Sequence, residues 1–206
     1  MKIFVQMLIG IVGKAGAGKT TLAGIATKID SQGRFLFEEY CMSTPLKRIA
    51  EIIGFNYQEL YGSQADKLKI NLELGVCSRE FMQIFGSEIM CKDLPGRIKM
   101  NTPGGIWCTL ARNHIKKTRG NIIISDIRFQ NEADLVKECG GILIHITRNI
   151  IVKNQLQAVY DKKEKLHISE VEQDSIKCDY EIDNSVTHQE LELKFNNIIK
   201  KMCQQS

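Results

Sequence analysis

Ile9-Gly-Ile-Val-Gly-Lys-Ala-Gly-Ala-Gly-Lys-Thr-Thr-Leu22 is the stretch from which the rest of this chain is read. Within it, Gly13-x-x-x-x-Gly18-Lys19-Thr20 meets the P-loop pattern at every fixed position. The flanks agree. Ile3 to Val12 is a mostly apolar run that reads as a buried strand, and Leu22, Ile25, Ala26 and Ile29 recur at helical spacing. Glycines let successive backbone N–H groups turn toward one centre, and the start of the helix adds partial positive charge there. Gly13, Lys14, Ala15, Gly16, Ala17, Gly18, Lys19, Thr20 and Thr21 are therefore the expected contacts of a nucleoside triphosphate. Lys19 is expected at its outer phosphates, and the Thr20 hydroxyl on Mg²⁺.

The rest of the composition narrows the classes. A chain of 206 residues suffices for one full α/β domain and is short for two. A net charge of +4 is too mild to mark a nucleic-acid partner, and the basic run from Arg112 to Arg119 reads as a solvated helix end. The seven cysteines are scattered, odd in number and without a C-x-x-C pair. That argues for reduced thiols in a cytoplasmic setting, with neither a disulfide framework nor a zinc site. No stretch reaches membrane-spanning length, and a cleaved leader would remove the P-loop strand, so no membrane association is expected.

Along the chain, Gly33 to Tyr40 reads as a second strand. Ser43 or Thr44 caps a helix through Leu46, Ile49, Ala50 and Ile53, stopped by Gly54. Phe55 to Val76 has no clear period. Ser78 caps a helix with Phe81, Ile84, Phe85 and Ile89 on one side, and Lys92 to Gly105 reads as an exposed connection. A helix over 106–117 carries Trp107. Strands follow at 121–125 and 142–147, joined by a helix over 133–139 that Gly140-Gly141 ends. A short strand near 180–182 and a helix over 190–202 close the chain. This alternation predicts a P-loop three-layer sandwich: a mostly parallel five-stranded sheet, helices on both faces, ligands at the strands' carboxyl ends.

Strand ends are thus the places to look for chemistry. Asp126 follows an aliphatic strand, where a carboxylate can support Mg²⁺ opposite Thr20, and Arg128 is placed to grip a phosphoryl group. The competing reading makes Asp126 and Asn131 caps of the next helix. Arg79 and Gln83 stand four apart and share a helix face, suited to a second nucleotide or merely to solvent. Arg148 ends another strand. After it comes a polar segment with Lys153, Lys162, Lys163, Lys165 and His167, which fits a lid over phosphates as well as it fits a solvated helix. His167 receives no proton-transfer role.

Taken in order, these pieces resemble the deoxynucleoside monophosphate kinases of bacteriophages and large DNA viruses. The resemblance runs through the P-loop, Pro45-Leu46-Lys47, Arg79-x-x-x-Gln83-x-x-Gly86-Ser87-Glu88 and Trp107. It continues through Asp126-Ile-Arg128-Phe-x-Asn131-Glu132, Gly140-Gly141, Arg148 and His167-x-Ser169-Glu170. It implies transfer of the γ-phosphoryl group of ATP to a deoxynucleoside 5′-monophosphate. It implies Lys19, Asp126, Arg128 and Arg148 as catalytic residues, with Thr20 and Asp126 on the metal. Lys47, Arg79, Gln83, Trp107, Arg128 and Glu132 are the implied acceptor contacts, and Arg148, implied to lie against the adenine or the phosphates of ATP, opens a lid over about 149–170. The helical region of about 43–117 is the implied acceptor-binding part of a single kinase domain. Where members of the family often carry an arginine, three residues after the glutamate, this chain has Cys91, with Lys92 and Arg97 as the nearby charges. Ser87 replaces a threonine, and Lys165 stands where an acidic residue is common. Homodimers are common among related kinases, and a viral member would work in the host-cell cytoplasm.

Other readings make different demands. A phosphomevalonate or dephospho-coenzyme A kinase shares the sheet and the loop but needs another acceptor pocket. A regulatory GTPase needs an Asn-Lys-x-Asp motif, which is missing, and the one Asp-x-x-Gly match, Asp93 to Gly96, follows a helix. An ATP-driven nucleic-acid module needs more basic and aromatic surface.

Overall fold

The computed structural model describes residues 6–28, 36–148 and 172–205. Among them the chain divides into two compact units, one made of Met1–Cys41 with Arg112–Ser206 and the other of Met42–Ala111. The first unit is built on a five-stranded sheet. Its strands are β1 (Leu8–Val12), β2 (Phe37–Tyr40), β5 (Asn121–Ile127), β6 (Ile142–Thr147) and β7 (Tyr180–Asp183), in the order β2-β5-β1-β6-β7. Every pairing is parallel. Short aliphatic runs suit this role, because a parallel sheet is covered on both faces. All five residues of β1 are buried.

Side chains alternate across the sheet and sort the helices into layers. Ile9, Ile11, Ile123, Ile144 and Ile182 pack with Leu22, Ala23 and Ile25 of α1 (Lys19–Ala26) and with Leu191, Phe195 and Ile199 of α9 (His188–Gln205). On the other face, Gly10 leaves room for Leu143, Ile127 and Val136, the last from α8 (Gln130–Glu138). Glu38 and Tyr40 meet His114 of α7 (Ile106–Lys117), the Glu38 carboxylate 2.9 Å from the imidazole Nε2 and the Tyr40 ring stacked on it. The result is the expected three-layer α/β arrangement. Burying such aliphatic side chains stabilises by about 1.5–3 kcal/mol each.

The second unit holds α2 (Thr44–Ile53), α3 (Tyr57–Tyr61), α4 (Gln64–Lys67), the hairpin β3 (Ile70–Asn71) and β4 (Val76–Cys77), α5 (Ser78–Gln83) and α6 (Leu94–Ile98). Ala50, Phe55 and Leu60 form its core, flanked by Leu74, Val76, Phe81 and Met82. Two of its short helices start on capping boxes, Asn56 with Glu59 and Ser63 with Asp66. The sequence showed no period here because helices of four or five residues and two-residue strands are too short to display one.

Four expectations are corrected. Ser43 makes no capping bond at the start of α2, where Pro45 removes one of the N–H groups a cap would serve. Ser78 is no cap either: it is buried, and its hydroxyl donates to the Glu59 carbonyl. Lys92 to Gly105 is helical as far as Ile98 and irregular beyond it. A π-type segment, Ile84–Asp93, continues α5, and α6 follows until Lys99 turns left-handed at φ 49°. Ile84 and Ile89 are both exposed, while Phe81 stacks on Phe85 at 5.2 Å. Finally, β5 runs to Ile127 instead of ending at Ser125, so Asp126 lies inside the strand, and Phe129 stands at the N-cap of α8.

Candidate active site

In the first unit the loop after β1 wraps back onto the start of α1. Its glycines are there for space as much as for flexibility. A side chain at Gly13 would strike the Ile146 carbonyl, and one at Gly18, where φ is 102°, would strike the Asn184 amide. Lys19 folds back over the loop, its ammonium donating to the carbonyls of Gly13 and Lys14, the latter at 3.0 Å. Lys14, Ala15 and Gly16 are exposed, Ala17 is buried, and Thr20 and Thr21 stand exposed in the first turn of α1. Lys14 pairs with Asp174 at 2.9 Å.

Beside this loop lies the end of β5. Gly10 and Val12 of β1 align with Ile124 and Ile127, so β5 carries one extra residue across Ser125 and Asp126. Such a bulge re-aims the side chains at the end of a strand. Ser125 is buried, with its hydroxyl 3.1 Å from the Cys41 thiol, while Asp126 is partly exposed. Burial first, and then the charge of Asp126, push Cys41 up to about 11, which keeps it a neutral thiol. Arg128 is exposed just past the strand. Glu132 is turned inward. It is 6% exposed, and one carboxylate oxygen accepts the backbone N–H groups of Arg128 at 2.7 Å and Phe129 at 3.2 Å. Burial pushes its pKa up to about 8, against those hydrogen bonds and with help from the charge of Asp126.

The second unit carries the remaining sequence candidates. The Lys47 ammonium lies 4.4 Å from the centre of the Tyr61 ring. Arg79 donates to the Gln64 amide oxygen at 3.1 Å, and Gln83, one turn on, is half-buried at the end of α5. Trp107 donates from its indole N–H to the Gly86 carbonyl at 3.0 Å, and the Cys91 thiol donates to the same oxygen at 3.1 Å. Cys91 is thus turned onto its own helix, and it supplies no charge where the family arginine would stand.

Arg148 is exposed immediately after β6. The lid expected from it, with Lys153, Lys162, Lys163, Lys165, His167, Ser169 and Glu170, lies outside the described residues. One residue at the loop was not foreseen. Asn184, just past β7, is buried, and its side-chain amide donates to the Ala17 carbonyl at 2.9 Å. Its only sequence signal was its place one step beyond a strand. Among the described residues no group of three or more His, Cys, Asp and Glu side chains could hold a metal ion, and no helix is long and apolar enough to cross a membrane.

The comparisons with known proteins fall in the same direction. Residues 51–195, more than half of the chain, match the family model described as deoxynucleotide monophosphate kinase. The chain is also 32% identical over 183 residues to a protein of Acanthamoeba polyphaga mimivirus named "Putative deoxynucleotide monophosphate kinase", covering 84% of each. Among solved structures it is similar to a dephospho-CoA kinase from Campylobacter jejuni, at 15% identity and a TM-score of 0.41, over 95% of this chain and 97% of that one. That last likeness is too distant to inform the site. With a P-loop whose lysine and threonine are in place, and a family match over most of its length, this chain belongs to the deoxynucleotide monophosphate kinase family, phosphotransferases that act on nucleotides.

Proposed function

We propose that the protein transfers the γ-phosphoryl group of ATP to a deoxynucleoside 5′-monophosphate, giving the diphosphate, and that it does so in the cytoplasm. The observation that carries this reading is the loop itself, with Lys19 folded over Gly13 and Lys14 and the Asp126 carboxylate at the end of the adjoining strand. Phosphoryl transfer asks a protein for position and charge neutralisation more than for covalent chemistry. Lys19 and the loop N–H groups from Gly13 to Thr21 hold the donor phosphates. Arg128 and Arg148, both exposed just past strand ends, neutralise charge that builds on the transferring group. Thr20 and Asp126 offer only oxygen ligands and are both reachable by solvent, a donor set that suits Mg²⁺. When bound, Mg²⁺ would neutralise phosphate charge and orient the donor. Lys47, Arg79, Gln83 and Trp107, all in the second unit, hold the acceptor. Glu132 serves it indirectly, by anchoring the backbone of Arg128.

The test is an ADP-release assay with ATP, Mg²⁺ and a panel of ribo- and deoxynucleoside monophosphates. Turnover with at least one deoxynucleotide, well above background hydrolysis, is expected. Silence across the panel sinks the reading of the acceptor while leaving ATP binding to be measured separately. The reading includes no stable nucleic-acid partner and leaves room for a homodimer. Sedimentation with and without single-stranded DNA checks both.

A further inference from the structure

We infer that Asn184 is a positioning residue for the phosphate loop, and that its buried amide sets the direction in which the Gly18 N–H points. This rests on reading that loop as the donor site. Three observations converge on the residue. Its backbone is set by the sheet: β6 and β7 pair through Thr147 and Asp183, and the Asn184 N–H extends that ladder by donating to the Thr147 carbonyl at 2.7 Å. Its side chain, at 7% exposure, reaches 167 residues back along the sequence to the Ala17 carbonyl. And Gly18 is moulded to it, since a side chain there would occupy the space of the Asn184 amide nitrogen.

The consequence follows from peptide geometry. The Ala17–Gly18 bond is trans, so the carbonyl oxygen of Ala17 and the N–H of Gly18 point in opposite directions. A donor that grips the oxygen from the buried side turns the N–H away from that side, as an anion-binding ring of backbone N–H groups requires. An apolar residue at 184 would fill the volume and leave this peptide free to rotate. An aspartate of the same shape would face the carbonyl oxygen with a second acceptor. The amide is the side chain that both fits and donates.

The experiment compares the full-length protein with Asn184→Ala and Asn184→Asp. It measures the Kd of a fluorescent ATP analogue, the KM of ATP and of the acceptor, and the thermal midpoint without nucleotide. Asn184→Ala should weaken ATP in both Kd and KM by about tenfold, the scale of one buried hydrogen bond, and leave the acceptor KM unchanged. Asn184→Asp should bind ATP poorly at pH 8. It should recover relative to wild type as pH falls and the introduced carboxyl gains a proton to donate. An altered midpoint with unchanged ATP affinity would overturn the proposal and leave a purely structural role. So would equal weakening of both substrates, or an Asn184→Asp variant with no recovery at low pH. If wild type itself binds no ATP, the reading of the loop fails instead.

Discussion

At the scale of single residues, the site is a set of charges held by backbone. Lys19 is the clearest case. It cannot wander, because its ammonium is bound to carbonyls of the loop it serves. Lys19→Ala should therefore lower kcat on the order of 10³-fold or more, by analogy with other charge clamps, while circular dichroism stays native. Glu132 makes a different kind of prediction. Its carboxyl has the ordinary glutamate value of about 4.5 in the unfolded chain, and burial pushes it up to about 8 in the folded protein. Between those values the folded state holds a proton that the unfolded state has released. Stability from this group is thus full below pH 4.5 and falls as pH rises toward 8. Glu132→Gln keeps an oxygen for the Arg128 and Phe129 N–H groups and removes the titration. Denaturant melts at pH 5 and pH 8 should show a smaller difference in the variant than in wild type.

At the scale of elements, the segment from Ser78 to Ile98 is where a helical period alone misleads. The wide turn of Ile84–Asp93 brings residues five apart into line, which is how the Cys91 thiol comes to share the Gly86 carbonyl with Trp107. Gly86 is buried, and a methyl group there would run into the Leu46 side chain. Gly86→Ala should cost about 1–3 kcal/mol by overpacking. The emission of Trp107, the sole tryptophan, reports both the loss of stability and any change at its indole N–H. An unchanged unfolding midpoint would mean that Leu46 moves aside freely. The bulge in β5 works by the same economy of one residue, leaving Ser125 buried and Asp126 at the solvent.

At the scale of the whole molecule, the candidates divide by unit: donor residues on the sheet of the first, Lys47, Arg79, Gln83 and Trp107 on the helices of the second. Arg79→Ala should accordingly raise the acceptor KM, by tenfold or more for a lost charged hydrogen bond, and leave the ATP Kd unchanged. Equal effects on both would end that division of labour. Much of this molecule was legible beforehand. The P-loop, the strand at 142–147 and the helix at 106–117 announce themselves because glycine spacing and apolar period are local consequences of backbone geometry. Gly54 stopping α2, at φ 126°, is the same kind of fact. The second unit's short helices and hairpin were not legible, and neither was the inward turn of Glu132 or Cys91. Asn184 was invisible for a plainer reason, since its partner is 167 residues away. The sequence by itself determined the parallel sheet, the loop and the family, all encoded in spacings of a few residues. Only the tertiary structure decided which polar groups face solvent and which hold the backbone, because burial and long-range hydrogen bonds exist only once distant strands are side by side.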